Sequence, residues 1–418
     1  MKSFWDFYAL IYDILKSFIP YQKLQRYVVD YLDLIPYLKI ADCGCGTGNT
    51  ISGILEKKKW KTEIVGFERS PAMLNRAKRK IKEGDNIKFI EGDFEDISIF
   101  EGKKYDRIVS VNSLYTVSDP SVVLKNWFNV LNDGGLVVIV NPFIPKLSPV
   151  FNEFFSELWT KKDIRNFIRF FLRLPIWWIL ILINKYIAKK AKDKKFHFLK
   201  PEKLISLAET CGFSVINKKI VYGKGSILIS LQKDVGNIVR RAHTSSELNV
   251  CYRIRYNVYC EGIESLKSED YPEKEERDVF DDYAAHFIWR EDNTIVGCIR
   301  LIPDYGDGFL LENGKNFPVP SHIDKYRKKT LEFSRMAVLS SHRQKNIGYI
   351  LAEAAAQWSF HGEYSERWIA MCQKRVWDGF SSNNWDVDMW GKYIFYHNTY
   401  SSPGSLIPPF LSPQFKKI

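Results

Sequence analysis

The stretch from Leu38 to Thr50, LKIADCGCGTGNT, constrains this chain most, because an apolar strand ends there in an acidic residue and runs straight into alternating glycines. Gly44, Gly46 and Gly48 let the backbone approach a ligand that side chains would otherwise exclude. In a doubly wound α/β sheet such a turn lies at the carboxyl ends of the strands, where ligands bind at the topological switch point. A nucleoside is the expected ligand. A nicotinamide dinucleotide is the competing reading, and the spacing opposes it, since Asn49 stands where GxGxxG requires its third glycine.

Further strands follow in order. TEIVGFE reads as the second, ending at Glu68; IKFIEGDFEDI supplies the third and its turn; YDRIVSVNSLYTVSDP is the fourth with its exit loop; and NDGG leads into LVVIVNP. Together these stretches resemble the class I S-adenosylmethionine-dependent methyltransferases, whose first motif is an acidic residue followed by GxGxG, matched by Asp42, Gly44, Gly46 and Gly48. The resemblance covers a little over half the chain and implies S-adenosyl-L-methionine as cofactor. It places Asp42, Gly44 and Gly46 in the cofactor site, Glu68 on the ribose hydroxyls, Met73 at the adenine edge, Asp93 on the adenine amino group and Phe94 beside the ring. Asn112, Ser113 and Tyr115 would face the reaction centre, and Tyr12 of the lead-in segment would help cover it. Asp133 replaces the proline of the family's LxPGG signature, and Gly134 still offers the turn a positive φ.

Methyl transfer is an in-line attack on a sulfonium carbon, so the protein mainly aligns the reactants and excludes water. A carboxylate or phenolate acceptor needs no base. His197 is the only histidine near these motifs, and a structural role is expected for it.

The net charge of +12 raises the question of nucleic acid, and its location argues against it. Residues 234–418 carry 23 basic and 25 acidic residues, while residues 151–200 alone carry 12 against 4. In that insert the lysines and arginines flank FIRFFLRLPIWWILILINKYI, a pattern that fits an anionic membrane surface, by way of residues 165–195, better than a nucleic-acid groove. The apolar run from Leu174 to Asn184 is shorter than the roughly 20 residues a bilayer span needs. A cap helix packed on the sheet is the equal alternative; on either reading the acceptor is lipophilic. Seven scattered cysteines give neither a disulfide framework nor a metal-ligand pattern, so reduced thiols, no metal and a cytoplasmic location, peripheral to the inner membrane face, are expected. The opening MKSFWDFYALIYDILKSFIP is interrupted by Asp6 and Asp13 and reads as an amphipathic lead-in helix rather than a secretory signal.

After Lys233 the text changes. CYRIRYNVYC, EERDVFDDYAAHFIWR, TIVGCIRLIP and TLEFSRMAV follow one another, and this succession resembles the acyltransferases related to acyl-homoserine-lactone synthases and N-acyl amino acid synthases, including the exosortase-associated type. Those have the fold of the GCN5-related N-acetyltransferases. The resemblance implies Arg255, Glu276, Asp278, Asp281, Arg300, Glu332 and Arg335 as an ion-pair cluster around an acceptor pocket, with Glu332 as base and Arg335, Arg300 and Asp281 as its catalytic companions. Acyl transfer from a thioester to an amine needs a deprotonated nucleophile and donors to the developing oxyanion. Arg343 and Gly348 in RQKNIG match the fold's donor-phosphate loop, while Asn346 replaces its first glycine. That degraded loop favours the phosphopantetheine thioester of an acyl carrier protein over coenzyme A.

The fold expected is therefore α/β: a Rossmann-like seven-stranded methyltransferase sheet over residues 1–233, followed by a GCN5-related acyltransferase domain over 234–418. The leading functional reading is a bifunctional enzyme that moves a fatty acyl chain from acyl carrier protein to an amino-acid-like amine and methylates that product or a related lipid. A non-catalytic lipid- or carrier-binding second half and an acyl-homoserine-lactone-type synthase stay open beside it.

Overall fold

The computed structural model describes residues 2–57, 62–84, 86–146, 148–161, 174–193, 195–233, 239–291, 294–304, 306, 308–312, 318–343, 346–361, 364–390, 394–396 and 399–407. Backbone contacts divide the chain into two units, Met1–Val235 and Gly236–Ile418.

The first unit opens with helix α1 (Lys2–Tyr12), a 3₁₀ turn and helix α2 (Ile19–Tyr31). The break between them comes at Phe18, in extended conformation, so that Pro20 sits in the first turn of α2, where its missing N–H costs no hydrogen bond. Strands β1 (Lys39–Cys43), β2 (Glu63–Glu68), β3 (Ile87–Glu91), β4 (Tyr105–Val111) and β5 (Leu131–Pro142) alternate with helices α3 (Asn49–Lys57), α4 (Pro71–Lys80) and α5 (Pro120–Val130). Helices α6 (Ser148–Lys161), α7 (Leu174–Lys192) and α8 (Pro201–Thr210) precede the closing pair β6 (Ser214–Val221) and β7 (Ser226–Gln232). The sheet order is β3-β2-β1-β4-β5-β7-β6, parallel except that β7 runs against both β5 and β6.

This order puts the switch point between β1 and β4, and hence the turn after Cys43 at the crevice. Every residue of β4 is buried, as suits a central parallel strand covered on both faces. Even Arg107 lies inside, because its guanidinium is spent on the carbonyls of Leu32, Asp33 and Asp106 and so ties the end of α2 to the sheet. NDGG is an excursion within β5: the ladder to β4 steps from Tyr105↔Leu131 to Arg107↔Leu136, with Gly134 at φ +81°. Pro175 is the second residue of α7, again a first-turn position. Residues 165–173 of the basic apolar insert lie outside the described residues.

In the second unit, strand β8 (Val239–Arg241) leads to helix α9 (Ser245–Tyr256), whose start is fixed by a capping box between Thr244 and Glu247. The helix relaxes into a π turn over Asn257–Gly262. Strands β9 (Ala285–Glu291), β10 (Thr294–Pro303) and β11 (Thr330–Val338) form an antiparallel meander; helix α10 (Ile347–His361) then returns the chain to β12 (Arg367–Gln373), parallel to β11. Helix α11 (Lys374–Ser382) and strands β13 (Asp386–Met389), β14 (Ile394–Tyr396) and β15 (Thr399–Ile407) complete an eight-stranded sheet.

Two irregularities shape this sheet. Opposite Ile299 of β10, strand β11 carries two residues, Arg335 and Met336, that have no partner in the ladder, and Arg335 adopts φ +52°. This is a bulge, which bends a strand and re-aims its side chains. The second is a fork. The β11–β12 ladder runs from Thr330↔Arg367 only to Phe333↔Ala370, after which β11 continues to Val338 and β12 to Gln373 without facing each other. Each arm is held by its outer neighbour, β10 on one side and β15 on the other.

Candidate active sites

In the first unit the glycine turn is shaped by close approach. Gly44, at φ +79°, has no room for a side chain, since a Cβ there would come within 2.5 Å of the Ser113 Cβ. Gly46, at φ +55°, faces open space, the nearest atom to a hypothetical Cβ being Tyr12 Cε1 at 3.9 Å. The turn is braced from behind: the Glu68 carboxylate accepts from the amides of Gly46 at 3.0 Å and Ser70 at 2.8 Å. Burial still raises the Glu68 pKa against those amides.

Asp42, the residue before the end of β1, is fully buried, and its Oδ2 has no hydrogen-bond partner among the described residues. Burial, aided by the nearby Glu68 charge, pushes its pKa up to about 8. A buried carboxyl with an unused acceptor costs free energy unless a donor arrives. This orphaned oxygen beside an open glycine turn suits a ligand carrying an N–H or ammonium donor, and so fits S-adenosylmethionine.

The sequence-derived residues divide around this turn. Tyr12, Asn112 and Tyr115 line one cavity of about 120 Å³, together with Tyr8, Tyr21 and Tyr222. Asn112 holds φ +53°, which turns the chain at the end of β4. Met73 is buried on α4, and Phe94 packs in a tilted contact with Trp127 at 5.9 Å, under Gly44 rather than in the cavity wall. Asp93 spends its carboxylate on the Glu95 amide at 3.1 Å and on Arg69 at 3.4 Å. Among the described residues this wall contains no carboxylate and no histidine. Its phenols at Tyr8, Tyr12, Tyr115 and Tyr222 are raised by burial and stay neutral. His197 has a structural place, its amide bonded to the Tyr115 carbonyl at 2.7 Å and its Nε2 3.1 Å from the Ser118 carbonyl.

The second unit holds a larger cavity, about 450 Å³, in the fork. Its walls come from Ser334–Met336 on one arm, Met371–Gln373 on the other, the start of α10 at Ile347–Tyr349, and apolar residues including Val258, Leu266 and Leu311. Glu332, which pairs with Ile369 one step before the strands part, faces this space. It is 2% exposed, its Oε2 accepts from the Leu311 amide at 3.2 Å, and burial raises its pKa to about 8. A carboxyl poised near neutrality can exchange a proton there. Cys372, on the facing arm, is held as a thiol by burial, with the Glu332 charge adding to the effect.

The other charged residues form a second cluster, of which Arg335 alone lines the cavity. Arg255 donates to Glu276 and to both oxygens of Asp281, at 2.7 and 3.0 Å. Arg300 grips Asp278 with two bonds of 2.7 Å, reaches Asp281 at 2.7 Å and gives its Nε to Ser334. Arg335 completes the set on Glu276 at 2.9 Å and Asp278 at 3.5 Å. Three guanidiniums thus meet three carboxylates, and Arg255 and Arg300 are wholly buried. Although burial alone would raise the Asp281 pKa, Arg300 and Arg255 hold it well below the usual carboxylate range.

This arrangement corrects the expected catalytic group. Arg300 and Asp281 do not line the cavity; they brace β10 and the turn of Asp278–Asp282 behind it. Arg255 is spent on Glu276 and Asp281, which leaves it no free fork for a substrate carboxylate, and Asp278 is taken by Arg300 and Arg335. Glu332 and Arg335 do reach the cavity, as do Arg343 and Gly348, and Asn346 at φ +54° sets the entry to α10. His286, 3.2 Å from Asp281 and buried, is a packed member of the cluster with its pKa lowered by burial.

Comparison with known proteins matches residues 40–135 to the methyltransferase domain family model and residues 254–353 to the acetyltransferase (GNAT) domain model. The chain carries a methyltransferase domain and a GNAT domain. Its relatives include the chloroplastic 2-methyl-6-phytyl-1,4-hydroquinone methyltransferase of Arabidopsis thaliana, 34% identical over 126 residues, which are 30% of this chain and 35% of that protein. The demethylmenaquinone methyltransferase of Staphylococcus aureus is 26% identical over 205 residues, 48% of this chain and 80% of its own length. The chain thus spans about a third of the plant relatives it matches. Among solved structures, magnesium protoporphyrin IX methyltransferase from Synechocystis PCC 6803 with bound SAH aligns at TM-score 0.35 and 16% identity, covering 52% of this chain and 87% of that one. The N-methyltransferase NodS from Bradyrhizobium japonicum WM9 with S-adenosyl-L-homocysteine aligns at 0.37 and 12%, covering 52% and 90%.

Several cavity residues of both domains carry no sequence signal. In the methyltransferase domain Tyr222 comes from the β6–β7 turn, and Asn184 and Ile187 from the insert helix α7. In the GNAT domain Tyr349 and Cys372 enter only because β11 and β12 diverge. Tyr222, Asn184, Ile187 and Cys372 lie far in sequence from any motif, and Tyr349, although next to Gly348, is not itself a motif residue, so topology alone could find them.

Proposed function

We propose that the chain is bifunctional, a fatty N-acyltransferase in its GNAT domain and an S-adenosylmethionine-dependent methyltransferase in its first domain, with a lipophilic methyl acceptor. The observation that carries the reading is the fork between β11 and β12, with the Glu332 carboxyl at its apex. Two strands parted and separately supported can accept an extended amide-bearing arm between them, as β-strand addition does. A phosphopantetheine arm has that character, and acyl carrier protein is the donor proposed. An aminoacyl-like amine is the acceptor proposed.

The acyl step balances with groups of this chain. The amine nitrogen attacks the thioester carbonyl, the carbon–sulfur bond breaks, Glu332 takes the amine proton and returns it to the departing thiolate. Arg335 stands at the same cavity as a positive charge for the developing oxyanion. In the first domain S-adenosylmethionine supplies the electrophilic methyl group. There Asp42, Gly46 and Glu68 hold the cofactor, while Tyr12, Asn112 and Tyr115 seat the acceptor and exclude water. The absence of a carboxylate and a histidine among the described wall residues suits an acceptor that is already nucleophilic. The quinone names of the relatives support a lipophilic one.

The test supplies labelled S-adenosylmethionine, long-chain acyl carrier protein or acyl-coenzyme A, and a panel of amino acids to the purified chain. Gly46→Ala is the methyl-blocked control: it puts a methyl over the turn at a left-handed φ, costs about 1–2 kcal/mol and meets nothing closer than 3.9 Å. The expected result is acyl transfer in the wild type and in Gly46→Ala, with methyl label absent from Gly46→Ala. Failure of the wild type to acylate any amine with either donor would refute the acyltransferase half. An acylated product that never carries label would refute a coupled pathway.

A further inference from the structure

Helix α7 is built with two faces, and among the described residues only one of them packs against the rest of the unit. Ile183 is buried, and Asn184 and Ile187 line the 120 Å³ cavity beside the glycine turn. Tyr186 stacks on Phe4 of α1 at 4.3 Å. On the other side Trp178, Leu182, Lys185, Lys189 and Lys192 are all exposed. Their spacing is 4, 3, 4 and 3, which at 3.6 residues per turn keeps them within an arc of about 80°. Trp178 and Leu182 expose 65% and 60% of their surface, and on α6 Trp159 exposes 87%.

An apolar half followed by a cationic half along one stripe is costly in water and has no structural partner among the described residues of this unit. It suits a phase boundary: the indole and leucine enter the headgroup region while the lysines remain at the anionic surface. A nucleic acid would engage the lysines and leave the indole and leucine without a role. Nor is the helix a span, since among the described residues none is long and apolar enough to cross a membrane.

We propose that the exposed stripe of α7 is a docking surface for an anionic lipid bilayer, which brings the opposite face of the same helix, and the cavity it lines, to the membrane. Neither transferase activity is needed for this surface to act. It therefore stands or falls separately from the proposed function.

The experiment is co-sedimentation of the full chain with vesicles of phosphatidylcholine alone or with phosphatidylglycerol added, read alongside the tryptophan emission. Binding should require phosphatidylglycerol, weaken in high salt and shift the emission to the blue. The triple variant Lys185→Glu, Lys189→Glu, Lys192→Glu should lower the partition coefficient on the order of a hundredfold or more, each lysine near such a surface contributing a severalfold factor. Trp178→Ser with Leu182→Ser should reduce binding and abolish most of the blue shift. These positions face solvent, so circular dichroism and S-adenosylmethionine titration serve as folding controls. Absence of vesicle binding by the wild type, equal binding to uncharged vesicles, or undiminished binding by both variants would each overturn the proposal.

Discussion

Replacing Glu332 by Gln tests the centre of the acyl-transfer reading. Burial holds this carboxyl at a pKa of about 8, against 4.5 for the free group. As a base it must be ionised, so near pH 7 only about a tenth of the molecules are competent, and the acyl-transfer rate should climb about tenfold to a plateau above pH 9. The substitution keeps volume and removes the titration. Turnover should fall by two to four orders of magnitude, and the alkaline rise should vanish from what remains.

Stability should move the other way. Because the folded pKa lies above the unfolded one, the folded state holds the extra proton between about pH 4.5 and 8, and stability declines with rising pH across that window. The full cost at alkaline pH is about 5 kcal/mol, at roughly 1.4 kcal/mol for each tenfold change in proton affinity. Glu332→Gln should therefore be more stable than wild type at pH 9 and close to it at pH 5, as read by denaturant midpoints. A variant that keeps the same activity and the same rising limb would show that Glu332 is not the base. Wild-type stability that does not fall between pH 5 and 8 would refute the raised pKa itself.

Asp281→Ala should leave Arg255 and Arg300 buried with too little negative charge and cost about 3–5 kcal/mol, seen as a lower unfolding midpoint of the GNAT domain. Its native pKa is depressed, so the stability it gives is present above about pH 4 and lost as pH falls below that; the variant should be correspondingly insensitive to acid in that range. In the methyltransferase domain, S-adenosylmethionine binding at pH 7 should release close to one proton from Asp42, whose pKa is about 8 in the free chain, and release none near pH 9.5. Calorimetry in two buffers of different ionisation enthalpy measures this directly; proton uptake, or release unchanged in Asp42→Asn, would refute it.

The sequence alone determined what depends on local chemistry. DCGCGTGNT reads as a strand end followed by a tight glycine turn, and the structure places Gly44 against Ser113 with no room for a Cβ. Strand patterning marked the first five strands, and the resemblance carried the expectation of a seven-stranded sheet, which the fold has. The motif ExSRxAV brought Glu332 and Arg335 to notice together. Only the tertiary structure separated their roles from those of their neighbours. Seven charged residues read as one cluster in sequence because spacing cannot say which guanidiniums are already satisfied. In the fold, three arginines saturate three carboxylates, and Glu332 is left apart, one residue before two strands diverge. The fork depends on where a ladder between distant segments stops. That is a property of long-range pairing, and no local pattern encodes it.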